Sequence, residues 1–214
     1  MPIISTFSVV AYDPATESWG VAVQSRFLAV GSVVPWAEAG VGAVATQALV
    51  NPRFGPLGLT MLKRGLNAEE VVAGLVAADP GRETRQLGVI DRHGGAVAFT
   101  GAECFPWAGH VVGENFCCQG NILAGEAVVT EMAEAMNRHA DQPFVDRLLA
   151  ALRAGQAAGG DSRGQQSAAL LVVRPGGGFG GYSDRAVDLR VDDHPAPISE
   201  LARLVALHRE TFGT

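Results

Sequence analysis

The sequence predicts an α+β fold in which two stacked, mainly antiparallel sheets lie between layers of helices. Three features of the 214-residue chain lead to this prediction. Short apolar segments are joined by turn-forming residues, as in β-hairpins. Pairs of helical segments interrupt these hairpins, whereas a doubly wound fold would alternate strand and helix regularly. In addition, no G-x-G-x-x-G motif follows the first strand, and no P-loop is present.

The first third of the chain predicts four strands followed by two helices. The strands form two pairs, TFSVVAYD with WGVAVQSR and GSVVPWAEAG with VGAVATQAL. The stretch PATES between the first two is turn-forming, which favours an antiparallel hairpin. The helices cover LGLTMLKRG and NAEEVVAGLVAAD, the second with Asn67 as its N-cap and two glutamates in its first turn.

The rest of the chain repeats this order of strand pairs followed by helices. Strands are predicted in RQLGVIDRHGGAVAFTG and HVVGENFCCQGN, and helices in AGEAVVTEMAEAMNRH and QPFVDRLLAALRAGQAAG. A strand pair and a closing helix follow, in SAALLVVRPGG, AVDLRVDD and APISELARLVALHRE. No linker or internal repeat divides these elements, so we expect one domain over residues 1–214.

Composition excludes several classes of protein. Hydrophobic residues make up 48% of the chain and charged residues 18%, which excludes a disordered chain. The net charge of −6, with no basic cluster, argues against nucleic-acid binding. We expect no membrane segment, because no run approaches the roughly 18 apolar residues that a span needs. There is no secretory signal, and two of the three cysteines are adjacent; both features indicate a reduced cytoplasmic protein.

Two resemblances cover different amounts of the chain. The first hairpin, TFSVVAYD with GVAVQSR, resembles proteasome-type members of the N-terminal-nucleophile (Ntn) hydrolase superfamily. Most of the chain resembles the bacterial family called domain of unknown function 1028. The longest matching segments are GVAVQSRFLAVGSVVPWAEAGVGAVATQA, FTGAECFPWAGH, AGQAAGGDSRGQQSAALLVV and VDLRVDDHP. This resemblance implies a four-layer αββα sandwich of the Ntn-hydrolase type.

The resemblance also implies that Thr6 is a nucleophile. In an Ntn hydrolase the side-chain oxygen attacks an amide carbonyl, and the free α-amine of the same residue takes the proton. Cleavage of the Ser5–Thr6 bond, which releases MPIIS, would create this amine. An ordinary strand threonine is the alternative interpretation.

Arg26 and Asp161 complete the predicted catalytic set. Proteasome-type members use a lysine to lower the pKa of the nucleophile, but Lys63 is the only lysine here. Arg26 could supply a positive field, although it stays charged and cannot carry a proton. A surface or dimer ion pair is the alternative role for Arg26. Asp161 lies in GGDSRGQQS, which resembles the loop near the nucleophile in proteasome-type members and could equally be a helix end followed by a turn.

Aromatic and amide side chains are the candidates for substrate binding, because they offer donors, acceptors and stacking surfaces for a small polar ligand. The candidates are Gln47, Trp107, Gln119, Asn121, Ser162 and Gln166. A cysteine nucleophile would need Cys104 or Cys118 near His110, whereas free cysteines are mostly buried apolar residues. The sequence Asp192–His194 lacks the spaced partners of a metal site, so we expect neither metal nor cofactor.

Two functions follow from these residues. The first is hydrolysis of an amide bond in a small molecule or peptide by a processed Thr6. The second is binding of a small ligand, or an assembly role, by an unprocessed protein without catalysis. A homodimer is expected in either case, since sandwiches leave sheet edges and helices to cover and two-fold dimers are common.

Overall fold

A computed structural model of the chain describes residues 6–213, in two antiparallel sheets and five α-helices. The strands are β1 (Thr6–Asp13), β2 (Ser18–Ser25), β3 (Pro35–Glu38), β4 (Gly42–Ala48), β5 (Arg85–Asp91), β6 (Ala96–Thr100), β7 (Gly109–Gly113), β8 (Phe116–Asn121), β9 (Ser167–Val173) and β10 (Arg185–Val191). The helices are α1 (Phe54–Lys63), α2 (Ala68–Ala78), α3 (Ala127–Arg138), α4 (Phe144–Ala157) and α5 (Pro197–Phe212). Cleavage is predicted at the Ser5–Thr6 bond, and Ser5 lies outside the described residues.

The larger sheet has the strand order β10-β9-β2-β1-β8-β7, and the smaller has the order β3-β4-β5-β6. Every strand pair is antiparallel, which confirms the predicted hairpins. β1 lies inside the larger sheet, where Thr6 is opposite Ser25 of β2 and Asn121 of β8. The first residue of the first strand is therefore flanked by backbone on both sides.

Three apolar clusters separate four layers. One, containing Phe7 and Leu148, joins the larger sheet to α3, α4 and α5. A second, containing Val10 and Ile90, fills the space between the two sheets. The third, containing Leu87, joins the smaller sheet to α1 and α2. The order helices, sheet, sheet, helices confirms the αββα sandwich.

Local signals set the start of α2 as the sequence predicts. Asn67 accepts a 2.9 Å hydrogen bond from the backbone N–H of Glu70, and the Glu70 carboxylate accepts one from the N–H of Asn67. This reciprocal capping satisfies two amides that a helix start leaves unpaired. Asp91 at the end of β5 accepts a further bond from the N–H of Ala68, which ties α2 to the smaller sheet. None of the helices between residues 6 and 213 has the length and apolarity to cross a membrane.

Candidate functional site

Polar side chains from both sheets meet at one end of the space between the sheets. Alternation along β1 turns Phe7 and Val9 toward the helices, so Thr6 and Ser8 face the smaller sheet. Farther along the same face, Val10 belongs to the apolar cluster between the sheets. The polar set is fully buried and consists of Thr6, Ser8, Ser25, Gln47, Gln86, Gln119 and Asn121.

Hydrogen bonds connect four of these side chains across the two sheets. Gln119 Nε2 donates to Ser8 Oγ at 2.6 Å, and Ser8 Oγ donates to Gln47 Oε1 at 2.7 Å. Gln47 Nε2 in turn donates to Gln86 Oε1 at 2.8 Å. Because an amide nitrogen can only donate, all bonds in this series run in one direction. We call these four residues, together with Thr100 and His110, the inter-sheet relay.

The inter-sheet relay ends near the surface at Thr100 and His110. Gln86 Nε2 donates to Thr100 Oγ1 at 2.9 Å, and Thr100 Oγ1 lies 2.9 Å from His110 Nδ1. The Thr100 hydroxyl can therefore donate a hydrogen bond to Nδ1 of a neutral His110 ring. Burial lowers the pKa of His110, which favours this neutral form. The relay thus links a buried serine to a histidine that can be protonated from the solvent.

Thr6 lies beside this relay at the start of β1. Its hydroxyl donates to Ser25 Oγ at 3.3 Å, and its carbonyl oxygen accepts from Gln47 Nε2 at 3.5 Å. The strand pairing places Asn121 on the other side of Thr6, and Asn121 Nδ2 donates to Gln86 Oε1 at 3.0 Å. The structure therefore brings Gln47, Gln119 and Asn121, three of the predicted binding residues, into one polar region with Thr6.

Arg26 and Asp161 lie at the edge of this region, where they are tied through the backbone. Asp161 is buried, and its carboxylate accepts hydrogen bonds from the backbone N–H groups of Arg26 at 3.0 Å and Arg163 at 2.9 Å. The guanidinium of Arg26 is exposed, with Nη1 3.5 Å from the carbonyl oxygen of Gln165. Asp161 thus fixes the chain next to Ser25, while the Arg26 side chain extends to the surface. The catalytic roles of both residues stay predictions.

A polar pocket of about 500 Å³ opens at Arg26. Its other lining side chains come from the loop before β9 and from the loop before α5, and they include Arg163, Gln166, Asp193 and His194. Gln166 Nε2 donates to Asp193 Oδ1 at 3.0 Å, which connects the two loops. We call this cavity the Arg26 pocket. It contains Gln166 from the predicted binding set.

The other two predicted binding residues lie apart from the relay. The Trp107 ring is half-buried and packs against the apolar cluster beneath α3 and α4, on the opposite face of the larger sheet. Ser162 is exposed, and its backbone N–H donates to the carbonyl of Ile122 at 2.9 Å. Their assignment to substrate binding stays a prediction.

The thiols are held in their protonated form. Burial raises the pKa of Cys104 to about 11 and that of Cys117 to about 12, and it also raises the pKa of Cys118. Since the thiolate is the nucleophile, these environments disfavour cysteine chemistry. Across residues 6–213, no group of three or more His, Cys, Asp and Glu side chains is arranged to hold a metal ion.

Sequence reasoning did not select several members of the site, namely Ser8, Ser25, Gln86, Thr100, Arg163, Asp193 and His194. A usable signal exists for two of them. Ser25 continues the face of β2 that carries Val21 and Val23, and Gln86 lies on the same face of β5 as Ile90, so the period of two places both on an inward face. Burying such a residue requires a hydrogen-bond partner, so a polar residue at a core position points to a network.

Comparison with known proteins identifies similar chains. The model of a family described as "Family of unknown function (DUF1028)" matches residues 6–201. The crystal structure of a Silicibacter pomeroyi protein assigned to DUF1028 is similar with a TM-score of 0.87 and 35% identity, over 96% of this chain and 89% of that one. Anbu (ancestral beta-subunit) from Yersinia bercovieri aligns with a TM-score of 0.39 and 12% identity, over 96% and 95% of the two chains. A search of curated proteins gives no match.

Proposed function

This chain belongs to DUF1028, a family of unknown function, and we propose that it is an Ntn-type amide hydrolase with Thr6 as nucleophile after release of residues 1–5. The observation that carries the proposal is the 3.3 Å contact between Thr6 Oγ1 and Ser25 Oγ at the head of β1. A threonine in a purely structural role could occupy any strand position. Here the side chain faces a fully buried polar region that both sheets contribute to.

The proposed reaction uses two groups of one residue. Cleavage of the Ser5–Thr6 bond gives Thr6 an α-amine, whose usual pKa of about 7.7–8.0 leaves a useful neutral fraction. The amine takes the proton of Oγ1 as the oxygen attacks the amide carbonyl, and then passes it to the leaving nitrogen. The resulting ester on Thr6 Oγ1 is hydrolysed by water, which regenerates the hydroxyl and releases the acid.

The surrounding groups support the α-amine as the base. Lys63, the sole lysine in the sequence, lies on α1 in a surface ion pair with Glu38, in the helical layer outside the smaller sheet. Arg26 is permanently charged, so it contributes a positive field next to Ser25 without accepting a proton. Asp161 already accepts two backbone N–H groups and acts as a positioning residue. The proteasome-type lysine therefore has no counterpart, and the mechanism proposed here does without one.

An electrophile that needs both groups of Thr6 tests the proposal. A peptide epoxyketone closes a morpholine ring only on a residue that presents a hydroxyl and a free α-amine. We expect intact-mass spectra of the full-length chain to show a species beginning at Thr6 that gains one inhibitor mass. Thr6→Ser keeps both groups and should still react, whereas Thr6→Val lacks the hydroxyl and should not. Amide hydrolysis that survives in Thr6→Ala would refute the mechanism.

Ligand binding without catalysis is the second candidate, and one observation favours it. An apolar groove of about 380 Å³ runs between α4, α5 and the β9–β10 end of the larger sheet. Phe144, Val172, Val187 and Val205 line it, and an ion pair of 2.9 Å between Asp146 and Arg209 lies at its rim. This function requires saturable ligand binding by a chain that retains residues 1–5.

The homodimer and the cytoplasmic location also stay predictions. Sedimentation velocity would test the homodimer.

A further inference from the structure

The Arg26 pocket combines two guanidinium groups with the polar end of the sandwich. From it we infer that the substrate is an amide that carries a carboxylate, which Arg26 and Arg163 bind while the amide reaches Thr6. The inference names the substrate class of the site in the proposed function and rests on that function. Arginine suits this role because its planar donors match both oxygens of a carboxylate.

Arg163 is fixed before any ligand arrives. Its Nε lies 3.4 Å from Asp161 Oδ1, and its Nη2 lies 3.4 Å from the carbonyl oxygen of Arg26. Asp161 is itself held by the two backbone N–H groups described above. Two anchors restrict the guanidinium plane, so less side-chain entropy is lost when a ligand binds.

Arg26 retains donors for a ligand. Within residues 6–213 its guanidinium forms no ion pair, and its hydrogen-bond partner there is the carbonyl oxygen of Gln165 at 3.5 Å. Five N–H groups belong to an arginine side chain, so most remain for solvent or a bound anion. The exposed position of Arg26 also means that its replacement leaves the core intact.

His194 and Asp193 narrow the class of anion. His194 Nδ1 accepts the backbone N–H of Ala196 at 3.0 Å, so a neutral ring carries its proton on Nε2 and can donate there. Asp193 lines the same pocket with a negative charge. Asp193 and the Asp161 partner of Arg163 offset the charges of the two arginines, so the pocket offers directional donors more than net positive charge, which suits a planar carboxylate.

Ser25 connects the pocket to the proposed nucleophile. The backbone N–H of Gln166 donates to the Ser25 carbonyl at 3.0 Å, and Ser25 Oγ is the group 3.3 Å from Thr6 Oγ1. Arg26 follows Ser25 directly in the chain, so the Arg26 pocket adjoins the end of β2 that carries Ser25. In the proposed complex the carboxylate lies at the two guanidinium groups and the amide extends toward Thr6.

Binding by the full-length chain tests the inference separately from catalysis. N-acetylglycine carries an amide and a carboxylate, and N-acetylglycinamide is its neutral counterpart; both are titrated into ¹⁵N-labelled protein and followed by NMR. We expect the acid to bind about tenfold more tightly than the neutral amide, and Arg26→Gln to weaken acid binding about tenfold through loss of a charge-assisted pair. Arg26→Lys should keep part of the affinity. Arg153→Gln, on the exposed face of α4, is the matched control and should change nothing.

Three results would overturn the inference. These are equal binding of the acid and the neutral amide, equal effects of Arg26→Gln and Arg153→Gln, and displacement of N-acetylglycine by an equal concentration of inorganic phosphate. If N-acetylglycine binds as expected but Thr6 does not react with the epoxyketone, the binding inference stands and the hydrolase proposal is refuted. The two failures are thus distinguishable.

Discussion

Ser8 Oγ donates a 2.7 Å hydrogen bond to Gln47 Oε1 across the space between the two sheets. The bond joins β1 of the larger sheet to β4 of the smaller one, and Gln119 Nε2 of β8 donates to the same serine oxygen at 2.6 Å. All three side chains are fully buried. A polar contact of this kind fixes how the two sheets lie on each other, because any shift leaves an amide without a partner.

Ser8→Ala should lower the free energy of unfolding by about 2 kcal/mol, since it leaves Gln47 Oε1 and Gln119 Nε2 buried without this partner. Urea unfolding followed by circular dichroism measures the change. Ser32→Ala is the matched control, because the Ser32 hydroxyl bonds the carbonyl of Ala29 at the surface. Its effect should stay within about 0.5 kcal/mol. Equal losses in the two variants would contradict a structural role for the relay.

His110 should make stability depend on pH. Burial places its folded-state pKa below the usual 6.5, so the unfolded chain binds a proton first as the pH falls. Stability should therefore decrease as the pH drops from 6.5 toward the folded pKa, and His110→Gln should flatten this dependence. Urea midpoints at pH 5, 6 and 7 measure it. Burial also lowers the pKa of His208, so both proteins are compared in a His208→Gln background. If His110→Gln leaves the pH dependence of the urea midpoint unchanged in that background, the prediction is wrong.

The Asp79–Arg85 pair should be a strong stabilising contact of the smaller sheet. Asp79 Oδ2 lies 2.9 Å from Arg85 Nε, both side chains are largely buried, and the hydrogen bond from Arg85 is the main cause that lowers the pKa of Asp79 to about 2. The contribution is complete above the usual pKa of 3.8 and is lost as the pH falls toward 2.

Asp79→Ala should therefore cost about 3 kcal/mol at pH 7, because Arg85 is left as an uncompensated buried charge. The difference from wild type should shrink between pH 4 and about pH 2. Glu134→Ala removes an exposed carboxylate 3.7 Å from Arg138 and should cost less than about 0.5 kcal/mol. Chemical denaturation across this pH range measures both variants, and a pH-independent loss in Asp79→Ala would be the contrary result.

Gly88 allows the close approach of the two sheets beside the relay. A Cβ at this position of β5 would lie 2.4 Å from Gln119 Oε1 and 2.8 Å from Cys117 Sγ, both on β8. Gly88→Ala should destabilise the protein by about 2 kcal/mol, since a packed layer has no room for the methyl group. Gly125→Ala, with no atom within 4 Å of its Cβ, should be nearly neutral. Thermal unfolding compares the two, and similar midpoints would refute the packing argument.

The site was only partly predictable from the sequence. Gln47, Gln119 and Asn121 are buried in the polar region beside Thr6, on the inward faces of strands that the sequence predicts. Trp107 and Gln119 are close in the sequence, which predicts ligand binding for both. The structure separates them onto opposite faces of the larger sheet, because Gln119 points between the sheets while Trp107 packs toward the helices.

The sequence by itself determined most of the strands, the helix pairs and the face on which Thr6 lies, because periods of 2 and 3.6 residues and capping residues are local properties of a chain. The strand predicted in GSVVPWAEAG begins only at Pro35, since Val30–Ser32 form a 3-10 turn. The tertiary structure alone decided which polar groups meet. Ser8 and Gln119 are 111 residues apart, and Asp161 is 135 residues from the Arg26 amide that it binds. Such contacts depend on how one sheet is placed on the other and on where the loops close, which no local pattern encodes.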